Sequence, residues 1–243
     1  MARLYGIQFN EVLTRGSQFR VESMLLRLAR REKYVAPSIS PAQRGAMCSP
    51  ETLPLTMEPE SGFYRDPVIV LDFQSLYPSI IIAYNYCFTT CFGKVSHIEN
   101  ICSANKIIEF GGLEYNCPID DIVSMLTANK LHISPTGAIF VKKLFEEHLS
   151  RILDARQMAL KLIANVTYGY AAANFSGRMP CVEVADAIVS KGREVLERAI
   201  KLVDEGTYGS SRVIYGDTDS MFVVCPGVSR TEAFDIGKRL LMM

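Results

Sequence analysis

The sequence predicts an α+β fold, and three observations support that expectation. Val68, Ile69, Val70 and Leu71 form an unbroken β-branched and aliphatic run, the pattern of a strand buried on both faces. Further on, RVIY-GDTD-SMFVV (212–224) sets two hydrophobic runs around a Gly-Asp turn and reads as a β-hairpin. Between these, apolar residues recur at helical spacing twice. Val141, Leu144, Phe145, Leu149, Ile152, Leu153, Ala159, Leu160 and Ile163 trace one amphipathic helix running to about Val166. Val182, Ala185, Ile188, Val189, Val195, Leu196 and Ile200 trace a second, ending near Leu202.

The remaining segments follow in order. Residues 1–34 read as a short strand or loop and then a helix, on which Val21, Met24, Leu25, Leu28 and Ala29 share a face. Prolines 37, 41, 50, 54 and 59 mark Val35 to Pro59 as a pinned connecting segment. After Tyr77-Pro78, the apolar run Ser79 to Tyr86 is a predicted helix, with proline in its first turn where a missing N–H costs nothing. Residues 87–135 hold no period for long, being broken by Gly111-Gly112, Pro118 and Pro135. Arg230 to Met243 is a predicted helix.

Composition narrows the class of protein. With 243 residues, 49% hydrophobic and 21% charged, the chain can bury a proper core and is not of disordered type. Lys plus Arg equals Asp plus Glu at 26 each, so net charge alone argues for no nucleic-acid partner. One local excess exists: Arg15, Arg20, Arg27, Arg30, Arg31, Lys33 and Arg44 against Glu22 and Glu32. That set could track a phosphate backbone or form a solvated helix face. Seven scattered cysteines with no CxxC pair point to reduced thiols in the cytosol or nucleus and to no zinc or iron–sulfur site. Apolar runs of four to five residues are too short for a membrane span, and no signal peptide is expected.

The chemistry-bearing residues fall into three groups. Asp72 ends the Val68 strand, and a carboxylate at the end of a buried strand is costly unless it is paired or holds a metal; capping the next helix is the plainer role. Asp217 and Asp219 lie two apart in YGDTDS (215–220), so period-2 geometry would aim both to one face. Two like charges so placed imply a cation or a raised pKa, although ordinary turns also contain D-x-D. With Asp72 they make three hard oxygen ligands of the kind that suits Mg²⁺ and substrate phosphates. Lys161, Asn165 and Tyr168 share one helical face and are followed by Gly169. A cation, an amide and an aromatic ring suit a nucleoside triphosphate; a snorkelling lysine on a half-exposed helix is the alternative.

Together, DFQSLYPSI (72–80), KLIANVTYG (161–169) and YGDTDS (215–220) resemble the three polymerase motifs of the family B DNA polymerases, in the family's order. RGSQFRVESMLLR (15–27), EPES (58–61), IAYNYCF (82–88), ANFSGRMPC (173–181) and ERAIKLV (197–203) narrow the likeness to its translesion-type branch. The resemblance implies a polymerase palm, an antiparallel sheet backed by helices, with a helical fingers element inserted. It divides the chain into an N-terminal connecting segment (1–65), a first palm part (66–130), truncated fingers (131–176) and a second palm part with the hairpin (177–243), and it finds no thumb or exonuclease domain.

It also implies residue roles. Asp72 and Asp219 would bridge two Mg²⁺ ions, with Asp217 as supporting acid and the Phe73 carbonyl on a metal. Backbone amides of Ser75, Leu76 and Tyr77 would receive the triphosphate, and the Tyr77 ring would be the steric gate against a 2′-hydroxyl. Lys161 and Asn165 would contact the triphosphate, and Tyr168 with Gly169 would line the nascent base pair. The implied activity is template-directed DNA synthesis on primer-template DNA with deoxynucleoside triphosphates, in translesion synthesis, repair and replication. A small regulatory subunit, a nuclear location and no membrane association accompany it. Phe140-Val141-Lys142 resembles the start of the fingers and Leu149-Ser150-Arg151 the second fingers helix, with the material between them missing. Two further readings stay open: a catalytically incomplete fragment that at most binds nucleic acid, nucleotide or partner subunits, and an unrelated Mg²⁺-dependent phosphohydrolase using the D-x-D pair.

Overall fold

The computed structural model describes residues 1–36, 39–96, 107–111, 113–116, 119–142, 166, 168–173, 179–205 and 210–241. They form a mixed α/β chain with two three-stranded antiparallel sheets and a two-stranded ribbon. Two compact units are distinguished, one of Met1–Glu51 with Tyr77–Ile188, the other of Thr52–Leu76 with Val189–Met243.

In the first unit, three helices open the chain: α1 (Ala2–Tyr5), α2 (Phe9–Thr14) and α3 (Ser17–Arg31). The expected strand or loop before α3 is therefore helical. Gly6 ends α1 at φ 65°, and the Ser23 hydroxyl donates to the Tyr5 carbonyl at 2.7 Å, folding α1 back onto α3. α4 (Pro41–Ala46) sits within the proline-rich segment; Ser40 caps it with Gln43 in a reciprocal box, and Pro41 takes its first position. α5 (Leu76–Tyr84) starts earlier than the apolar run suggested, with Pro78 still in its first turn.

The stretch without legible period contains β2 (Cys91–Lys94), the ribbon β3 (Ile107–Phe110) and β4 (Leu113–Asn116), α6 (Ile119–Thr127) and β5 (Leu131–Ile133), followed by β6 (Ala138–Val141). Strand order is β2-β6-β5, and α6 closes one face by packing Ile122 against Leu131 and Ile139. Each strand has only three or four residues, too few for alternation to declare itself. Val141 is the last residue of β6, not the first of a helix; its N–H bonds to the Thr90 carbonyl at 2.9 Å. The rest of the predicted helix, from residue 143, lies outside the described residues until Val166.

The second unit contains β1 (Val68–Asp72), β7 (Arg212–Asp217), β8 (Ser220–Val224) and α8 (Arg230–Leu241). The remaining helix, α7 (Val182–Asp204), belongs to this unit from Val189 onward. Among the described residues the sheet order is β1-β8-β7, so the hairpin's second strand is central and the Val68 strand is an edge. One sheet face is covered: Leu71, Val213, Met221 and Val223 meet Leu196 and Val203 of α7 and Ala233 and Ile236 of α8. Each such fully buried aliphatic side chain contributes about 1.5–3 kcal/mol of transfer free energy. The other face of β1 is open, with Val70 58% exposed, and Asp72 is exposed as well. The expectation of a strand buried on both faces is thus corrected. An edge strand covered on one face can still hold β-branched residues outward, because they suit extended backbone regardless of cover.

Candidate active site

The β7–β8 hairpin closes with a two-residue loop, Thr218-Asp219, rather than at Gly-Asp. Asp217 is the last residue of β7 and pairs with Ser220; Ser220 in turn pairs with Asp72 on β1. Residues directly opposite in antiparallel strands point to one face, so Asp72, Ser220 and Asp217 form a row across the end of the sheet. It is the open face, since Leu71 and Met221, their neighbours, point into the core. Asp219 does not share this face through strand alternation, as the sequence suggested, because it sits in the loop. The loop is joined to β1 instead: the Phe73 N–H donates to the Asp219 carbonyl at 2.7 Å.

Asp217 is engaged locally. Its Oδ1 accepts the Thr56 hydroxyl at 3.1 Å and the Thr218 hydroxyl at 2.9 Å. The segment before β1 runs beside β7 to make this possible, with Met57 N–H on the Gly216 carbonyl and Thr218 N–H on that of Leu55. Ser220 and Thr56 were not singled out from sequence. Ser220 follows once the loop is known to be Thr218-Asp219, whereas Thr56 lies 161 residues from Asp217 and has no local signal.

Three carboxylates and a serine hydroxyl at one sheet end are hard donors and fit a divalent cation such as Mg²⁺ in kind. Among the described residues, no three Asp, Glu, His or Cys side chains stand close enough to hold an ion together.

Ser75 precedes α5 with φ 56°, a left-handed conformation uncommon for serine. It is followed by the helix start at Leu76, where backbone N–H groups have no helical acceptor. Within the first unit, the structure brings together two residues expected at the nucleotide: the Tyr77 and Tyr168 rings lie 4.9 Å apart at 49°. Tyr168 and Gly169 lie in a short helical stretch and are half-buried. Burial, and secondarily the charge of the buried Asp186, holds the Tyr168 phenol above its ordinary pKa. Lys161 and Asn165 lie outside the described residues.

The model of DNA polymerase family B matches residues 7–242. The chain is 51% identical over 268 residues, 99% of its own length and 12% of the relative's, to the DNA polymerase zeta catalytic subunit of Drosophila melanogaster. The human DNA polymerase zeta catalytic subunit is 50% identical over 268 residues, covering 99% of this chain and 8% of that protein. For the Saccharomyces cerevisiae counterpart the identity is 43%, over 97% of this chain and 17% of the relative. The chain therefore spans between 8 and 17% of these three relatives. The fly and human alignments run to 268 positions against 243 residues here, so those relatives hold positions with no counterpart in this chain.

Proposed function

The chain belongs to DNA polymerase family B, and from that premise we propose that it supplies the nucleotidyl-transfer palm of a translesion-type, zeta-like DNA polymerase. The observation that supports this reading best is the Asp72–Ser220–Asp217 row with Asp219 in the adjoining loop. In this reading Asp72 and Asp219 hold Mg²⁺, Asp217 is the supporting acid, and the Phe73 carbonyl is an additional donor. When bound, the two ions supply activation of the primer 3′-hydroxyl and charge stabilisation of the leaving pyrophosphate.

The chain's own residues bind and orient. Backbone N–H groups at Ser75, Leu76 and Tyr77 receive the triphosphate, helped by the positive end of α5. In this reading the Tyr77 ring, which lies against that of Tyr168, excludes a 2′-hydroxyl. Lys161 and Asn165 bind the triphosphate, and Tyr168 with Gly169 borders the new base pair. Primer-template DNA and deoxynucleoside triphosphates are the substrates. A nuclear location and a small regulatory subunit belong to the same proposal. Among the described residues no helix is long and apolar enough to cross a membrane.

Primer extension with Mg²⁺ and one labelled deoxynucleotide tests the reading on the chain and on Asp72→Ala and Asp219→Ala. Extension lost in both variants, at a cost of about 10²-fold or more for an electrostatic transition-state contact, is expected. Extension that survives either substitution would defeat the metal assignment. The alignment positions missing here favour a second reading, in which the chain binds nucleotide but does not extend a primer. Metal-dependent nucleotide binding with no extension by the parent chain would select it.

A further inference from the structure

The strand that carries Asp217 does not alternate evenly. Val213 pairs with Val223 but Tyr215 pairs with Phe222, so Ile214 is an extra residue on β7 and makes a bulge. A bulge changes the face that the following side chains take. Val213 packs in the core, and regular alternation would send Tyr215 and Asp217 the same way. After the bulge Tyr215 instead lies opposite Phe222, their rings 5.5 Å apart, and Asp217 lies opposite Ser220 in the row with Asp72.

The segment before β1 follows β7 from the bulge to the tip. Glu60 N–H donates to the Ile214 carbonyl at 3.0 Å, Met57 N–H to that of Gly216 at 2.8 Å, and Thr218 N–H to that of Leu55 at 2.8 Å. Gly216 lets the segment lie close, since a Cβ there would stand 3.1 Å from Met57 Sδ. These bonds set Thr56 in an antiparallel bridge with Asp217, and the Thr56 hydroxyl donates to Asp217 Oδ1 at 3.1 Å.

The Thr218 hydroxyl donates to the same oxygen at 2.9 Å. A carboxylate has two acceptor oxygens, and the terminal torsion of an aspartate is otherwise broad. Two donors converging on Oδ1 restrict that torsion and leave Oδ2 as the oxygen with no hydroxyl donor among the described residues. A carboxylate held in this way loses less rotamer freedom when it takes a cation.

We propose that Thr56 is a positioning residue for the cation site: with Thr218 it holds Asp217 by Oδ1 and leaves Oδ2 for a divalent ion. This rests on the metal assignment proposed above and adds to it a residue that acts through Asp217. Hydrogen-bond donors to a ligating carboxylate orient it, and losing one weakens metal affinity by about 10–100-fold.

The test reads Mn²⁺ binding to the 243-residue chain from the EPR signal of the free ion, with neither nucleotide nor primer present. Thr56→Val keeps the branched shape and the strand preference but removes the hydroxyl, and affinity should fall about tenfold or more. Thr56→Ala should lose as much, and Thr56→Ser, which keeps a hydroxyl, should restore binding. Amide exchange at Met57, Glu60 and Thr218 should be unchanged in Thr56→Val, because the backbone bonds between the segment and β7 remain. Mn²⁺ binding that is absent, or that survives Asp72→Ala, overturns the metal assignment and this proposal with it. Binding that requires Asp72 yet is the same in Thr56→Val and Thr56→Ala overturns the role of Thr56 alone. A loss that Thr56→Ser does not recover, or that comes with faster exchange at those three amides, gives Thr56 a structural part only and overturns it as well.

Discussion

At the tip of the β7–β8 hairpin, Thr218 holds φ at 54°, a conformation that costs a β-branched residue on the order of 1–3 kcal/mol. Two bonds offset that strain: the Thr218 hydroxyl to Asp217 and the Thr218 N–H to the Leu55 carbonyl. Thr218→Gly relieves the backbone but removes one hydroxyl from Asp217, so urea unfolding should shift by no more than about 1 kcal/mol. A loss well above that would show that the hydroxyl matters more than the backbone. Tyr77→Ala, by contrast, should leave folding largely intact and act on substrate choice. In a form of the chain that extends primers, ribonucleotide incorporation should rise relative to deoxynucleotide, and unchanged discrimination would refute the steric gate. Tyr168 makes a pH prediction. Its phenol titrates above the ordinary value of about 10 because burial, then Asp186, disfavours the phenolate. The neutral form is the one the fold favours, so this contribution is whole below the ordinary phenol pKa and lost as pH rises through the raised one. Tyr168→Phe should flatten that alkaline loss in pH-dependent melting curves.

At the scale of elements, the packing of α8 on β1 depends on Gly237. Glycine inside a helix costs about 1 kcal/mol relative to alanine, yet here the absent side chain is what lets α8 approach Ile69. Gly237→Ala should be near neutral, its helix gain set against a 3.3 Å contact that Ile69 must relax. Gly237→Val should lose about 1–3 kcal/mol in denaturant unfolding as overpacking drives the helix outward. A stabilised valine variant would mean that α8 is not seated on β1 as described. The same elements show what local pattern can reveal. The long period of Val182 to Leu202 announced α7 within two residues of its observed end at Asp204. The four-residue strands β2 and β6 gave no such signal, and the apolar Phe140-Val141 pair, which reads equally as a helix start, is a strand end.

For the whole molecule, the central question is whether the site is ever completed. The fly and human DNA polymerase zeta catalytic subunits hold aligned positions that this chain lacks, and the expected place for them is between Lys142, where the fingers would start, and Leu149, where the second fingers helix would begin. Inserting the relative's intervening segment there should raise primer extension above that of the parent chain, measured with the same labelled nucleotide. Equal activity in both would remove the missing segment as the cause of any deficit.

The three motifs, their order and their family were fixed by the sequence alone, because each is a short run whose residue types answer to chemistry rather than to distant packing. Strand β1, the two strands of the hairpin, and helices α7 and α8 were legible for the same reason: their periods are long or their apolar runs unbroken. What only the tertiary structure decided concerns residues far apart in the chain. It set Ser220 between Asp72 and Asp217, turned Asp217 toward Thr56, and placed the Tyr77 ring against Tyr168. It also made Val68 to Asp72 an edge strand with one open face, where a continuous hydrophobic run implied cover on both. Exposure lowers the desolvation cost of the Asp72 charge, so its place at the strand end needs no buried counter-ion in the fold. A run of residues specifies the backbone it prefers; which of its faces meets protein is determined by the elements that arrive from elsewhere in the chain.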